Sequence, residues 1–165
     1  MAEYLGVRVH VPENDPTMLA YLQHAGTHRL TLQRCRDCGL LQYPPGTACE
    51  HCTCLDFDWA PVSGKGTIYS YEIVTHPIHP AYRDRVPYPI VLVELDEQRA
   101  VPAPDYALRV IATLVDAEGR PEHEERVAIG ARVEVAFADL GDGLALPLFR
   151  LSDEPPEHAL WRYPG

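Results

Sequence analysis

Two C-x2-C pairs, Cys35/Cys38 and Cys49/Cys52, stand ten residues apart and constrain this chain more than any other stretch. Two ligands from one tight turn take adjacent corners of a tetrahedron without strain. Two such turns therefore place four thiolates around one ion. Zinc is the first choice, with Zn–S distances of about 2.3 Å, and iron in a rubredoxin-like site uses the same ligand set. Gly39 suits a turn that needs a positive φ. The second turn is less regular, with Thr53 where a glycine is expected and Cys54 as an alternative ligand. A disulfide framework is disfavoured, because four of the five cysteines fall into paired two-residue spacings and one is left over. A redox dithiol calls for one such pair on a βαβ pattern, and no such pattern is present. A closed four-thiolate site has no open position for substrate, so it predicts structure and not chemistry.

At 165 residues and 46% hydrophobic content the chain can bury a real core. Its 16 prolines and 11 glycines cluster between short apolar runs, which favours strands joined by turns. The formal charge of −10 argues against nucleic acid as a partner, since phosphate backbones demand Lys and Arg. Lys65 is the only lysine, so a Schiff-base mechanism has a single, poorly placed candidate. No charged start leads into an early apolar stretch, and no run approaches the ~18 apolar residues of a membrane span. Thiols arranged for metal fit a reducing compartment. The expectation is a cytoplasmic protein with no membrane contact.

Residues 1–27 read as an arm with Val7, Val9 and Val11 alternating, followed by a helix. Asp15 is its N-cap, Pro16 its first residue, and Ala25-Gly26 its close, with Met18, Leu19 and Leu22 as the apolar stripe. Residues 28–56 read as a zinc ribbon, with Leu30 and Leu32 alternating into Cys35 and Pro44-Pro45-Gly46 turning toward Cys49. Residues 57–151 carry five strand patterns, at 66–75, 88–95, 106–115, 131–138 and 144–150. Gly64-Lys65-Gly66 reads as a hairpin turn, since neither P-loop spacing nor a following helix is present. Short strands with turn-rich links predict a five-stranded OB-fold barrel. The 116–126 link is charged and reads as a solvated loop. The 152–165 tail reads as irregular, with Leu160 and Trp161 able to dock. The fold class is therefore mainly β: an N-terminal helix, a rubredoxin-like zinc ribbon and a barrel.

Between the first two barrel strands, residues 76–87 place His76, His79, Tyr82, Arg83 and Arg85 on a chain stiffened by three prolines. Arginines on a barrel-rim loop can hold phosphates or carboxylates through forked hydrogen bonds. Pro77 separates the two histidines, so no helix presents both to a metal. No Ser/His/Asp order and no G-x-S-x-G appears, and no carboxylate sits in an apolar setting that raises its pKa. No catalytic residue is assigned.

RCRDCG (34–39), YPPGTAC (43–49) with Cys52, VSGKGTIYSYEIV (62–74), YPIVLVELDE (88–97), IGARVEVAF (129–137) and LPLFR (146–150) together resemble one family. It is the family of rubredoxin-like zinc ribbons fused to an OB-fold and associated with acyl-CoA enzymes, and the resemblance covers about residues 15–151. It implies Cys35, Cys38, Cys49 and Cys52 as metal ligands around structural zinc. It also implies an accessory role: completing the acyl-CoA channel of a thiolase-fold partner such as a thiolase or aldolase, or of a hot-dog-fold enoyl-CoA hydratase. The expected assembly is a hetero-oligomer, such as two plus two, acting in lipid, sterol or aromatic side-chain catabolism. Arg83 and Arg85 are the expected CoA-phosphate contacts. The chain departs from the pattern at Glu50, where proline is usual, and at 98–106, which replace a glycine-containing turn. Two other classes stay open: a stand-alone OB-fold nucleic-acid module stacking bases on Tyr69, Tyr71 and Tyr82, and a rubredoxin-like electron carrier.

Overall fold

In chain order the elements are β1 (Glu3–Tyr4), β2 (Val7–Arg8), α1 (Pro16–Ala25), β3 (Thr31–Cys35), β4 (Leu41–Gln42), β5 (Phe57–Pro61), β6 (Lys65–Val74), β7 (Tyr88–Leu95), β8 (Arg109–Val115), β9 (Arg132–Gly141) and β10 (Leu144–Leu151). The computed structural model describes residues 2–77 and 80–164. The mainly β architecture, the helix and the barrel agree with the pattern of the sequence. Two units divide the chain: Met1–Gly64 with Glu97–Leu108 and Phe137–Pro147, and Lys65–Asp96 with Arg109–Ala136 and Leu148–Gly165. No helix among the described residues is long and apolar enough to cross a membrane.

The first unit holds α1 and the ribbon. The Asp15 carboxylate accepts from the backbone N–H groups of Thr17 and Met18, each at 3.0 Å, which satisfies two orphan donors of the helix. Those amides, Met18's first, hold the carboxyl below its ordinary range. The buried face of α1 is Tyr21, Leu22 and Ala25, whereas Met18 and Leu19 of the expected stripe are half-buried. Gly26 does not close the helix in the left-handed region. Its φ is −60°, and the left-handed residue is His28, at φ 55°. The reason for glycine is contact: a Cβ on Gly26 would lie 1.9 Å from the carbonyl oxygen of Gly143. Gly143 and Asp142 form the two-residue turn between β9 and β10, both at positive φ, as a tight hairpin requires. His28 stacks on Phe137 and meets Asp139 at 2.7 Å, a second tie to the same hairpin.

The ribbon sheet has the order β4-β3-β5. β5 pairs antiparallel with β3 from Thr31↔Pro61 to Cys35↔Phe57, so this sheet runs past the 28–56 span read from the sequence. Alternation suggested polar residues facing water on β3, but Thr31 and Gln33 are buried along with Leu30 and Leu32. Gln33 earns its burial by hydrogen bonding: its amide donates to the Gly46 carbonyl at 3.0 Å, and its carbonyl accepts from Gly46 N–H at 2.8 Å. Gln98 does the same for β4, accepting from Leu41 N–H at 2.8 Å and donating to Leu41 O at 2.9 Å.

The second unit is built on the barrel, which closes in the order β10-β8-β7-β6-β9. β6, β7 and β8 pair antiparallel in sequence, β9 returns to β6, and β8 runs parallel to β10. Period-two alternation puts Ile68, Val91, Val93, Val110, Leu114, Val133 and Phe149 in a fully buried core. Gly66 sits where a Cβ would meet the Glu94 carbonyl oxygen at 2.5 Å, so the β6–β7 crossing tolerates no side chain there.

The same alternation placed Arg132 outside the core, yet it is 7% exposed. Its guanidinium donates to Thr67, to both carboxylate oxygens of Asp96 (2.8 and 2.6 Å) and to Glu154 (2.8 Å). A buried charge survives only when its donors are met in this way. Glu154 belongs to the tail, which is therefore anchored and not free. Trp161 also exchanges two backbone hydrogen bonds with Ile129. In the 116–126 link, Glu122 is buried and bound by Arg126, so this loop is only partly solvated.

Gly26→Ala is expected to cost about 1–3 kcal/mol, since backbone and not a flexible side chain must move. A lower urea midpoint at unchanged slope will show it, and an unchanged midpoint will show that the hairpin turn yields freely.

Candidate metal centre and barrel groove

The sulfurs of Cys35, Cys38, Cys49 and Cys52 all lie within 4.8 Å of one another. Cys35 and Cys52 approach to 3.5 Å, and Cys38 and Cys49 to 3.6 Å. Each pair sits on a turn whose fifth residue folds back: Gly39 N–H donates to Cys35 O, and Thr53 N–H to Cys49 O. Gly39 has φ 75° and Thr53 φ 64°, so the two turns share one backbone shape. Thr53 takes the glycine conformation at a steric cost, and its hydroxyl donates to the Cys52 carbonyl at 2.6 Å. Cys54 stays outside the cluster. Its sulfur accepts from the Asp56 N–H at 3.4 Å, while its backbone pairs with Cys49.

The backbone aims N–H groups at the sulfurs. The Cys35 thiol is drawn down to about 6, first by the Cys38 N–H and then, against burial, by that of Asp37. The Cys54 N–H lowers Cys52, but burial and the three neighbouring thiols outweigh it and push that thiol up to about 12. Cys38 also moves up, despite the Leu40 N–H. The Cys35 thiolate thus forms readily while Cys38 and Cys52 resist ionisation. A bound cation removes that conflict and releases the protons. The donor set fits zinc: four sulfurs close a tetrahedron and leave no position for a substrate.

In the barrel unit an open groove of about 920 Å³ lies along β6, β7 and β8. Ile73, Ile90, Leu92 and Ile111 supply its apolar lining, and Tyr71 and Tyr163 its aromatic wall. The Tyr71 hydroxyl accepts from the Tyr163 N–H at 3.0 Å, so the tail forms one side of the groove. Glu72, Glu124, Glu125 and Arg162 supply the charge. Arg83 and Arg85 stand on the 3-10 turn Pro80–Arg85 and do not line this groove. His79 lies outside the described residues, so its separation from His76 is not tested. The sequence pointed to the 76–87 loop. The apolar outward positions of β7 and β8 were the signal for the groove, visible as Ile90, Leu92 and Ile111 interleaved with core valines.

Residues 22–53 match the family described as ChsH2, rubredoxin-like zinc ribbon domain, and residues 59–138 match ChsH2, C-terminal OB-fold domain. A chain of the solved structure titled Ltp2-ChsH2(DUF35) aldolase superposes with a TM-score of 0.67 at 32% identity. The superposition covers 86% of this chain and 98% of that one. This chain belongs to the ChsH2 family. A probable enoyl-CoA hydratase alpha subunit of Thermomonospora curvata is 34% identical over 130 residues, covering 79% of this chain. A DUF35 domain-containing scaffold protein of Methanothermobacter thermautotrophicus is 29% identical over 111 residues, 67% of this chain and 72% of that protein. This chain spans about a third of the hydratase subunit's length (36%).

The ChsH2 ribbon makes the four thiols a structural zinc site, with Cys35, Cys38, Cys49 and Cys52 as the residues that would hold the ion. Elemental analysis should find one zinc per chain. Cys38→Ser is expected to lose both metal and an intact ribbon, and Cys54→Ser to keep both. Metal retained in the first variant and lost in the second would exchange the two residues' roles. Thr53→Gly, by relieving the left-handed threonine, should raise stability by up to about 1 kcal/mol after glycine's own entropy is subtracted. A lower denaturation midpoint for this variant would show that the hydroxyl bond to Cys52 outweighs the strain.

Proposed function

We propose that this chain is a non-catalytic accessory subunit that completes the acyl-CoA channel of a thiolase-fold enzyme, an aldolase or thiolase acting in lipid, sterol or aromatic side-chain breakdown. The observation that carries this reading is its alignment along 98% of a chain of the Ltp2-ChsH2(DUF35) aldolase, at 32% identity. Similarity to a chain named a scaffold protein points the same way. The metal centre supports it as well: its four sulfurs face one another and leave no open ligand position for chemistry. The partner supplies the reacting groups, and the barrel restricts the acyl-CoA. Arg83, which is exposed, and Arg85, which is half-buried, carry forked donors and are the residues assigned to the CoA phosphates. A hetero-oligomer of two plus two copies is the assembly assigned.

A second reading is an accessory role for a hot-dog-fold enoyl-CoA hydratase, favoured by the 34% identity to a hydratase alpha subunit. A nucleic-acid module is opposed by the charge of −10 and by three glutamates in the groove. The deciding experiment co-expresses this chain with thiolase-fold and hot-dog enzymes from the same genome and weighs the complexes. The aldolase or thiolase is expected to co-purify, and to be unstable or inactive alone. A thiolase-fold enzyme fully active without this chain overturns the proposal, and co-purification with the hydratase alone transfers it to the second reading.

A further inference from the structure

The groove along β6, β7 and β8 carries a charge pattern opposite to what a CoA site requires. Among the described residues its charged lining side chains are Glu72, Glu124, Glu125 and Arg162. None of the four makes an ion pair among the described residues. Most carboxylates elsewhere in the same unit are matched: Glu94 with Arg109, Asp116 and Glu118 with Arg120, Glu122 with Arg126, and Glu134 with Arg150, while Asp84 and Asp153 stand singly among the described residues. Unmatched carboxylates around an apolar surface attract cations and repel phosphates.

The apolar surface itself lies where a solvated barrel carries polar side chains. Val91, Val93 and Val110 fill the core, so the residues alternating with them face outward. Leu92 pairs directly with Ile111 across β7 and β8, and Ile90 follows two positions along. Ile111 is 55% exposed, and Trp161 and Tyr163 on the adjoining tail are 47% and 53% exposed. An apolar floor with an acidic rim suits a chain segment bearing aliphatic side chains flanked by Arg or Lys.

We infer that this groove docks a basic, aliphatic segment of the partner polypeptide, while the phosphates of acyl-CoA bind elsewhere. The inference rests on the accessory-subunit reading and assigns that subunit's docking face. Ile111 and Leu92 form its apolar centre, Glu124 and Glu125 select the cationic segment, and the Trp161–Tyr163 strap borders it.

The test uses the intact zinc-loaded protein and two fluorescein-labelled synthetic decapeptides with the same leucine positions, one carrying arginines and one glutamates between them. Fluorescence anisotropy should show the arginine peptide binding at least roughly tenfold tighter, with affinity falling as salt rises. Ile111→Asp and the double variant Glu124→Gln/Glu125→Gln, each checked for unchanged zinc content and melting temperature, should each weaken binding roughly tenfold. Equal affinity for both peptides, no binding, or unaltered binding by both variants overturns the inference. So does displacement of the peptide by free coenzyme A, which makes the groove a CoA site. Self-association on sedimentation that Ile111→Asp abolishes also overturns it, because the occupant is then a second copy. Enzyme complexes that survive Ile111→Asp while the peptide fails to bind sink the groove and leave the accessory reading standing. Peptide binding with no enzyme complex does the reverse.

Discussion

Four sulfurs within 4.8 Å of one another are the constraint on which the first unit depends. The ribbon's own strands are five, two and five residues long, too little sheet to bury an independent core. What apolar packing cannot supply, cross-links do. A metal tetrahedron ties the two turns, and buried glutamines tie the segments between them. Gln42 accepts from the Glu50 N–H at 3.1 Å and donates to Gln33, which in turn brackets Gly46. Each amide uses both its donor and its acceptor, so these two buried glutamines are satisfied and not merely tolerated. Binding energy of the ion is then folding energy for this unit.

The barrel obeys a different economy, and it was the more legible half. Its strands announced themselves by β-branched alternation, because the side-chain period of a strand is two and one face is buried. The five expected segments differ from the observed ones only by a few residues at their ends. Cysteine spacing was equally legible, since ligation is a local matter of turn geometry. What escaped were long-range polar contacts. Arg132 reads as an outward residue until Asp96 and Glu154, far away in sequence, close on it. Gln98 looks like a loop residue until its amide meets Leu41. Gly26 looks like a helix stop, while its actual constraint is the Gly143 carbonyl 117 positions on. No periodicity encodes such encounters, because they arise only after the strands have paired.

The groove was hidden for a related reason. Alternating apolar residues on β7 read as core-facing under either parity, since both parities are apolar. YPIVLVEL contains Ile90 and Leu92 as well as Val91 and Val93, and the sequence does not say which set is buried. A strand buried on both faces shows this same run, so the pattern marks a second contact surface only once the barrel has closed with one set outside.

On the reading proposed above, phosphate contact and partner docking fall to different turns of the barrel. CoA phosphates call for arginine, and a basic partner segment calls for carboxylate. One surface cannot serve both without mutual repulsion. This chain holds Arg83 and Arg85 on one turn before β7, and Glu124 and Glu125 on another after β8, where Arg126 is paired with Glu122. An OB barrel suits such a split. Its hydrogen-bonded wall leaves no free edge, so the loops can diverge in charge without loosening the scaffold. Under this arrangement the net charge of −10, which argues against nucleic acid, is compatible with a polyanionic ligand, because the relevant potential is that of one loop and not of the whole chain.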